Sequence, residues 1–319
     1  MLYPLIFKKV FVEKIWGGRA FEKELDFQLP VNKLIGESWE VSAHSHGMSI
    51  IENGTLAGKT LQEVLTEYKD ALVGSKIYKE YGDRFPLLIK YLDVNEKISI
   101  QVHPDDEYGL KYENELGKSE CWYILAASDD AKVILGMQDD VTKEEFLRKV
   151  NINDFEGLFE EKKVKKGDFF NIPPGTVHTA IAGKILLIEI EENSDITYRI
   201  YDFDREENGV KRELHLDKSA EVINFENKVN IESGLLSEDE NRRKLVTTKY
   251  YTVDIVKTGI EKMKDISNNS FIIYIILNGN GQIKSKNGNL KFCQGDSLLI
   301  PNGIEVEIPE NLEFLRITI

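Results

Sequence analysis

A chain of 319 residues, 41% hydrophobic and 30% charged, has the composition of a soluble globular protein of about two domains. Its formal net charge of −14 argues against nucleic acid or an anionic membrane as partner, since either requires clustered Lys and Arg. An anionic small substrate is compatible with that charge only through a local basic pocket. The two cysteines, Cys121 and Cys293, lie far apart in apolar strand-like runs and read as buried free thiols. The N-terminus has too short an apolar stretch for a signal segment, so a cytoplasmic protein is expected.

In chain order, residues 7–15 read as an extended entry strand ending at Trp16-Gly17-Gly18. Strands at 37–43 and 48–52 flank the turn His44-Ser45-His46-Gly47, whose histidines are read as exposed turn residues rather than ligands. Thr60 with Glu63 makes a capping box for a helix over 60–72, whose apolar face is Leu61, Val64, Leu65, Tyr68 and Leu72. Residues 86–93 form a strongly apolar strand interrupted by Lys90, which either snorkels from an edge or lines a cavity. In 98–103, Ser99, Gln101 and His103 share the face opposite Ile98, Ile100 and Val102. A polar, helix-prone stretch leads from Pro104 to Gly117, followed by a strand on which Glu120, Trp122 and Ile124 share a face. A second capping box, Thr142 to Glu145, opens a helix to about Val150.

Strand material resumes at Gly167, and Thr197, Arg199 and Tyr201 share a face of a later strand, so that Arg199 can face a cavity. Residues 209–241 are polar and turn-rich and read as a connector, with 237–244 helical. The stretch Gly167-Asp-Phe-Phe-Asn-Ile-Pro-Pro-Gly-Thr-Val-His178 has the pattern G-x5-P-x-G-x2-H: a strand, a tight turn, and a strand that opens on a histidine.

That hairpin resembles the second motif of the cupin superfamily, and 98–120 supplies the first motif, widened by an insertion. The resemblance implies a mainly β chain of two cupin-type jelly-roll barrels, with helical insertions at about 59–73, 104–117 and 141–151 in the metal-binding half. Gln101, His103, Glu120 and His178 then offer two imidazoles, a carboxylate and an amide oxygen. This set suits one Zn²⁺, with other divalent first-row ions close behind, because it contains no thiolate. Gly295 to Gly303 repeats the glycine, aspartate, proline and glycine spacing of Gly167 to Gly175, and the register places Val306 at the His178 position and Ile272 at the Glu120 position. The expected domains are therefore a catalytic one over 1–240 and a C-terminal barrel over 241–319 without metal ligands.

A narrower resemblance follows from Gln101-Val-His103-Pro, Lys118-Ser-Glu120, the hairpin ending at His178, and Ser194-Asp195-Ile-Thr-Tyr-Arg199. Their order and spacing are similar to those of the type I mannose-6-phosphate isomerases in their shorter bacterial form, over essentially the whole chain. The resemblance implies a zinc-dependent aldose–ketose isomerase acting on mannose 6-phosphate and fructose 6-phosphate through an enediolate. It implies metal ligands at Gln101, His103, Glu120 and His178 and a catalytic Arg199. Glu189, Asp195 and Glu37 are compatible with proton transfer, Lys90 and Lys118 with the phosphate, and Glu37 also with substrate binding. An aromatic residue found after the last histidine in longer members is replaced here by Thr179-Ala180. The expected partner is a small sugar phosphate, with no nucleic acid or membrane, for a monomer or homodimer. Two rivals are an Fe²⁺ cupin oxygenase, disfavoured by Gln101 and the inserted helices, and a non-catalytic sugar-binding cupin, disfavoured by four spaced donors.

Overall fold

The computed structural model describes residues 1–207 and 209–319 and is mainly β, with short helices between the strands. Its contacts divide it into two compact units, one of residues 1–10, 39–89 and 234–319, the other of residues 11–38 and 90–233.

The strands that carry the site lie in two sheets. One has the order Glu232–Ser233, Asp168–Ile172, Glu120–Ala127, Ile185–Glu192, Leu87–Val94, Ile35–Val41, Val10–Gly18. The other runs Phe159–Lys163, Lys132–Met137, His178–Ala182, Ile100–Val102, Tyr198–Tyr201. Side chains alternate along a strand, so one face of each sheet turns inward. Trp122 and Phe170 from the first sheet share a buried cluster with Val133, Leu135 and Ala180 from the second. Outside, the helix Lys143–Val150 is capped by Thr142, which accepts from the Glu145 N–H at 3.2 Å. Its Phe146 and Val150 pack with Ile134 and Val177.

The first unit also has two sheets: Leu5–Ile6, Ser297–Ile300, Ile272–Asn278, Glu313–Thr318, Thr252–Lys257, Arg242–Thr247, and Met263–Asp265, Val306–Ile308, Gly281–Ser285, Gly288–Phe292. Ile300 pairs with Ile272 as Ile172 pairs with Glu120, and Val306 pairs with Asp265 as His178 pairs with Gln101. Where the second unit gathers metal-ligand types, the first holds a buried ion pair. Arg316 Nε lies 2.6 Å from Asp265 Oδ2, and the Tyr274 hydroxyl donates to the same oxygen at 2.6 Å.

Several local expectations are corrected. The entry strand is Val10–Gly18, so Trp16-Gly17-Gly18 lies within it rather than after it. Gly17 is held to the extended strand because an added Cβ would meet the backbone of Ile35 and Gly36 at 2.6 Å. The helix over 60–72 is two, Leu61–Tyr68 and Asp70–Val73, broken at Lys69 with φ 50°. No helix forms over 237–244. The Ser237 N–H does donate to Glu240 Oε2 at 3.0 Å, a cap-like bond, but Arg242–Thr247 is a strand because it pairs along Thr252–Lys257. The connector 209–241 contains the helix Leu216–Val222. Cys121 is buried as expected, whereas Cys293 is exposed at a turn. No helix among the described residues is long and apolar enough to cross a membrane.

Candidate metal centre and active site

The hairpin that ends on His178 is fixed by its turn. The Thr176 N–H donates to Pro173 O at 3.2 Å, with Pro174 and Gly175 between them. Gly175 has φ +81°, which Pro-Gly supplies at no steric cost, and an added Cβ would lie 2.7 Å from Val222 O. The Gly175 N–H donates to His103 O at 2.8 Å, which ties the hairpin to the end of strand Ile100–Val102. His178 and Arg199 both lie opposite Gln101 in the register, one on each side, so the three form a row across the sheet. Glu120 and Trp122 stand on the other sheet, opposite Glu191 and Glu189 respectively. The edge of the Trp122 indole meets the His178 ring at a centroid distance of 5.6 Å, which brings the two inner faces together.

The donors converge. His103, Glu120 and His178 present ligand atoms that all lie within 4.8 Å of one another, and all three side chains are buried. His178 Nε2 is 3.0 Å from Glu120 Oε1, His103 Nε2 is 3.6 Å from Glu120 Oε2, and Gln101 Nε2 is 3.3 Å from His178 Nε2. Ligands about 2.1 Å from a tetrahedral zinc are about 3.4 Å apart, so the spacing fits such an ion. The tautomers agree: His103 Nδ1–H donates to Ile196 O at 2.6 Å and His178 Nδ1–H to Thr176 O at 3.0 Å, leaving each Nε2 lone pair directed inward. His103 Nε2 is buried without a hydrogen-bond partner. A buried acceptor is costly to leave unmet, and a cation meets it. A half-turn of the Gln101 amide presents its oxygen to the same point.

Burial, followed by Lys118, pushes the His103 imidazole well below its ordinary range, so the ring is neutral and able to ligate. Burial alone would raise the Glu120 carboxyl. Lys118, His178 and His103 outweigh it and hold the group well below the usual carboxylate range.

Beside the donors is a buried charge row. Glu191 takes Lys90 Nζ at 2.7 Å on one oxygen and Lys118 Nζ at 2.6 Å on the other. Lys118 also lies 3.2 Å from Glu120 Oε2, and Lys90 lies 3.5 Å from Glu189 Oε2. The Trp122 indole N–H donates to Glu189 Oε1 at 3.0 Å. Burial works to lower both lysines, but the surrounding carboxylates prevail and raise them.

A cleft of ≈ 670 Å³ of empty space, partly open to solvent, lies over this row, and Gln101, Lys90, Lys118, Glu189, Asp195, Glu37 and Arg199 all line it. Arg199 Nε is buried without a hydrogen-bond partner. Glu37 reaches Lys14 Nζ at 3.0 Å.

Residues 5–118 match the family of the phosphomannose isomerase type I catalytic domain. The mannose-6-phosphate isomerase ManA of Bacillus subtilis is 40% identical over 94% of this chain and 94% of its own length. This chain belongs to the type I phosphomannose isomerase family.

A second relative, the mannose-6-phosphate isomerase of Streptococcus mutans serotype c, is 36% identical over 96% of this chain and 94% of its own. The crystal structure of the mannose 6-phosphate isomerase from Bacillus subtilis superimposes with a TM-score of 0.86 at 35% identity, covering 100% of both chains. A mannose 6-phosphate isomerase bound with zinc and yttrium shares the fold at a TM-score of 0.76 and 15% identity.

Two further residues of this family member belong to the region, Arg212 in the cleft and Glu191 in the charge row. Arg212 lines the cleft from within the stretch read as a connector, its guanidinium clamped by Asp202 through bonds of 2.8 and 2.6 Å. Nothing local to Lys211-Arg212-Glu213 marks it, since only the return of the chain to the sheet edge brings it in. Glu191 was legible: it follows Glu189 by two residues in an apolar strand and so shares its face. His44 and His46 stand in their turn at a ring distance of 4.7 Å.

Proposed function

We propose that this chain interconverts mannose 6-phosphate and fructose 6-phosphate at one divalent metal, zinc by preference, through an enediolate. The observation that carries the reading is the convergence of His103, Glu120, His178 and Gln101 beside Arg199, whose Nε is buried without a hydrogen-bond partner among the described residues. Isomerase names among relatives that match nearly the full chain support the substrate pair, and the nitrogen and oxygen donor set, with no thiolate, supports zinc.

When bound, the metal supplies Lewis acidity to the two adjacent sugar oxygens on which charge accumulates. The protein supplies the rest. Glu189, held by Trp122, is our candidate to take the proton from C2 of the aldose and return it to C1, with Asp195 and Glu37 as the other carboxylates of the cleft. Electrons of the broken C2–H bond form the enediolate, and the proton regained at C1 completes the ketose as the hydroxyl proton passes from O2 to O1. Lys90 and Lys118 are held by carboxylates, which suits them to fixing sugar oxygens. Arg199 and the clamped Arg212 are the cations through which we place enediolate stabilisation and phosphate recognition. Function in the cytoplasm, as a monomer or homodimer with the 241–319 barrel as a support without ligands, completes the proposal.

Aldose–ketose interconversion measured in D₂O, with and without a chelator, tests it. Chelator-sensitive turnover with deuterium entering C1 of the ketose is expected. Activity unaffected by complete metal removal would overturn the metal role, and absence of turnover on mannose 6-phosphate with metal bound would overturn the substrate.

A further inference from the structure

Lys118 presents a problem for the metal centre. Its ammonium lies 3.2 Å from Glu120 Oε2, the same oxygen that lies 3.6 Å from His103 Nε2. A lysine and a divalent cation cannot both sit on one carboxylate oxygen without strong repulsion, least of all where both side chains are at most 4% exposed and screening is weak. What draws the lysine aside is a residue outside the ligand set. Glu191 stands directly across the strand pair from Glu120 and takes the Lys118 ammonium at 2.6 Å, a shorter contact than that to Glu120. Its second oxygen is anchored by Lys90 at 2.7 Å, so the carboxylate is held at both ends.

Two opposing influences act on Glu191. Burial, followed by Glu189, pushes the Glu191 carboxyl well above the usual carboxylate range, and the ammoniums of Lys118 at 2.6 Å and Lys90 at 2.7 Å work against that shift and favour the ionised form. Without the Glu191 carboxylate, Lys118 would keep Glu120, at 3.2 Å, as its ion-pair partner. Oxygens of the three glutamates also lie within 4.8 Å of one another, yet these carboxylates already hold the two ammoniums. The row therefore serves the neighbouring ion rather than holding one of its own.

We propose that Glu191 is a positioning residue for the metal centre: by binding Lys118 it keeps Glu120 Oε2 free to ligate a divalent cation. The inference rests on the reading of His103, Glu120 and His178 as that centre.

The test is a titration of the full-length apoprotein with Zn²⁺ against a chromogenic chelator, and with Co²⁺ followed by its visible spectrum. Glu191→Gln, which keeps the shape and removes the charge, is expected to weaken metal binding by roughly 10-fold or more, the usual scale for the partners of a ligand. Adding Lys118→Met to Glu191→Gln is expected to recover most of that loss, because the competitor is gone. Lys118→Met alone is expected to bind metal at least as tightly as the unaltered protein, and this variant decides the question if Glu191→Gln does not fold. Unchanged affinity in Glu191→Gln, even with a lowered apoprotein melting temperature, would overturn the inference and leave Glu191 with a structural role. Weaker binding in Lys118→Met, or no recovery in the double variant, would overturn it as well. If the unaltered protein bound neither ion, the metal centre itself would fall, which is a different failure.

Discussion

Removal of the Arg199 side chain separates charge stabilisation from scaffold. Arg199 sits opposite Gln101 in the strand register, lines the cleft, and buries its Nε without a partner. Burial, followed by Arg212, lowers its pKa from the ordinary value, yet a guanidinium starts so high that it stays charged. Among the described residues it makes no ion pair within 4 Å, so Arg199→Ala breaks no salt bridge and forfeits only packing of its stem, about 1 kcal/mol. For a protein of this size that corresponds to a melting shift of roughly 2–4 °C. The kinetic effect should be far larger. A preorganised donor aimed at charge that develops in the transition state is worth about 3 kcal/mol, or about 10²-fold in kcat at 1.36 kcal/mol per decade. Coupled-assay kinetics, zinc content and calorimetry on one preparation distinguish the outcomes. A kcat loss of about 10² with metal and melting temperature retained is expected for a residue acting on the enediolate. A defect mainly in KM, partly restored by Arg199→Lys, would assign it to the phosphate instead. Near-normal kcat and KM would refute the reasoning and leave Arg199 outside the mechanism.

Three further outcomes follow from the same structure. His178→Ala should lose bound metal by elemental analysis, while His44→Ala and His46→Ala keep it; full occupancy in His178→Ala would remove the site. Asp265→Ala should cost about 3 kcal/mol or more in urea denaturation, because Arg316 and the Tyr274 hydroxyl are left facing an empty position, and a loss below about 1 kcal/mol would show that the pair is dispensable. Asp93, pushed up to about 6 mainly by burial, binds its proton more tightly folded than unfolded, where its pKa is about 3.9. Its contribution to stability is thus fully present below about pH 4 and is lost as pH rises through 6. Asp93→Asn should flatten that part of the curve of melting temperature against pH, and an unchanged slope between pH 4 and 6 would count against it.

The sequence by itself determined what depends on near neighbours. Alternation placed Gln101 and Arg199 on one face of their strands and Glu120 with Trp122 on one face of theirs; Pro174-Gly175 set the turn before His178; and Thr142 with Glu145 started a helix at the expected residue. These are consequences of a two-residue strand period, of turn dihedrals and of capping bonds, all of which act within a few residues. The helix expected at 237–244 marks the limit of such local rules: Ser237 and Glu240 made their cap-like bond, and strand pairing to Thr252–Lys257 outweighed it. The tertiary structure alone decided which faces meet. It set Glu120 against the histidines of the other sheet, brought Arg212 out of an unremarkable polar stretch into the cleft, and packed Lys118 between two carboxylates. Distances between residues tens of positions apart follow from sheet order and packing, which no local pattern encodes, and at this site those distances are what gather the scattered donors into one set.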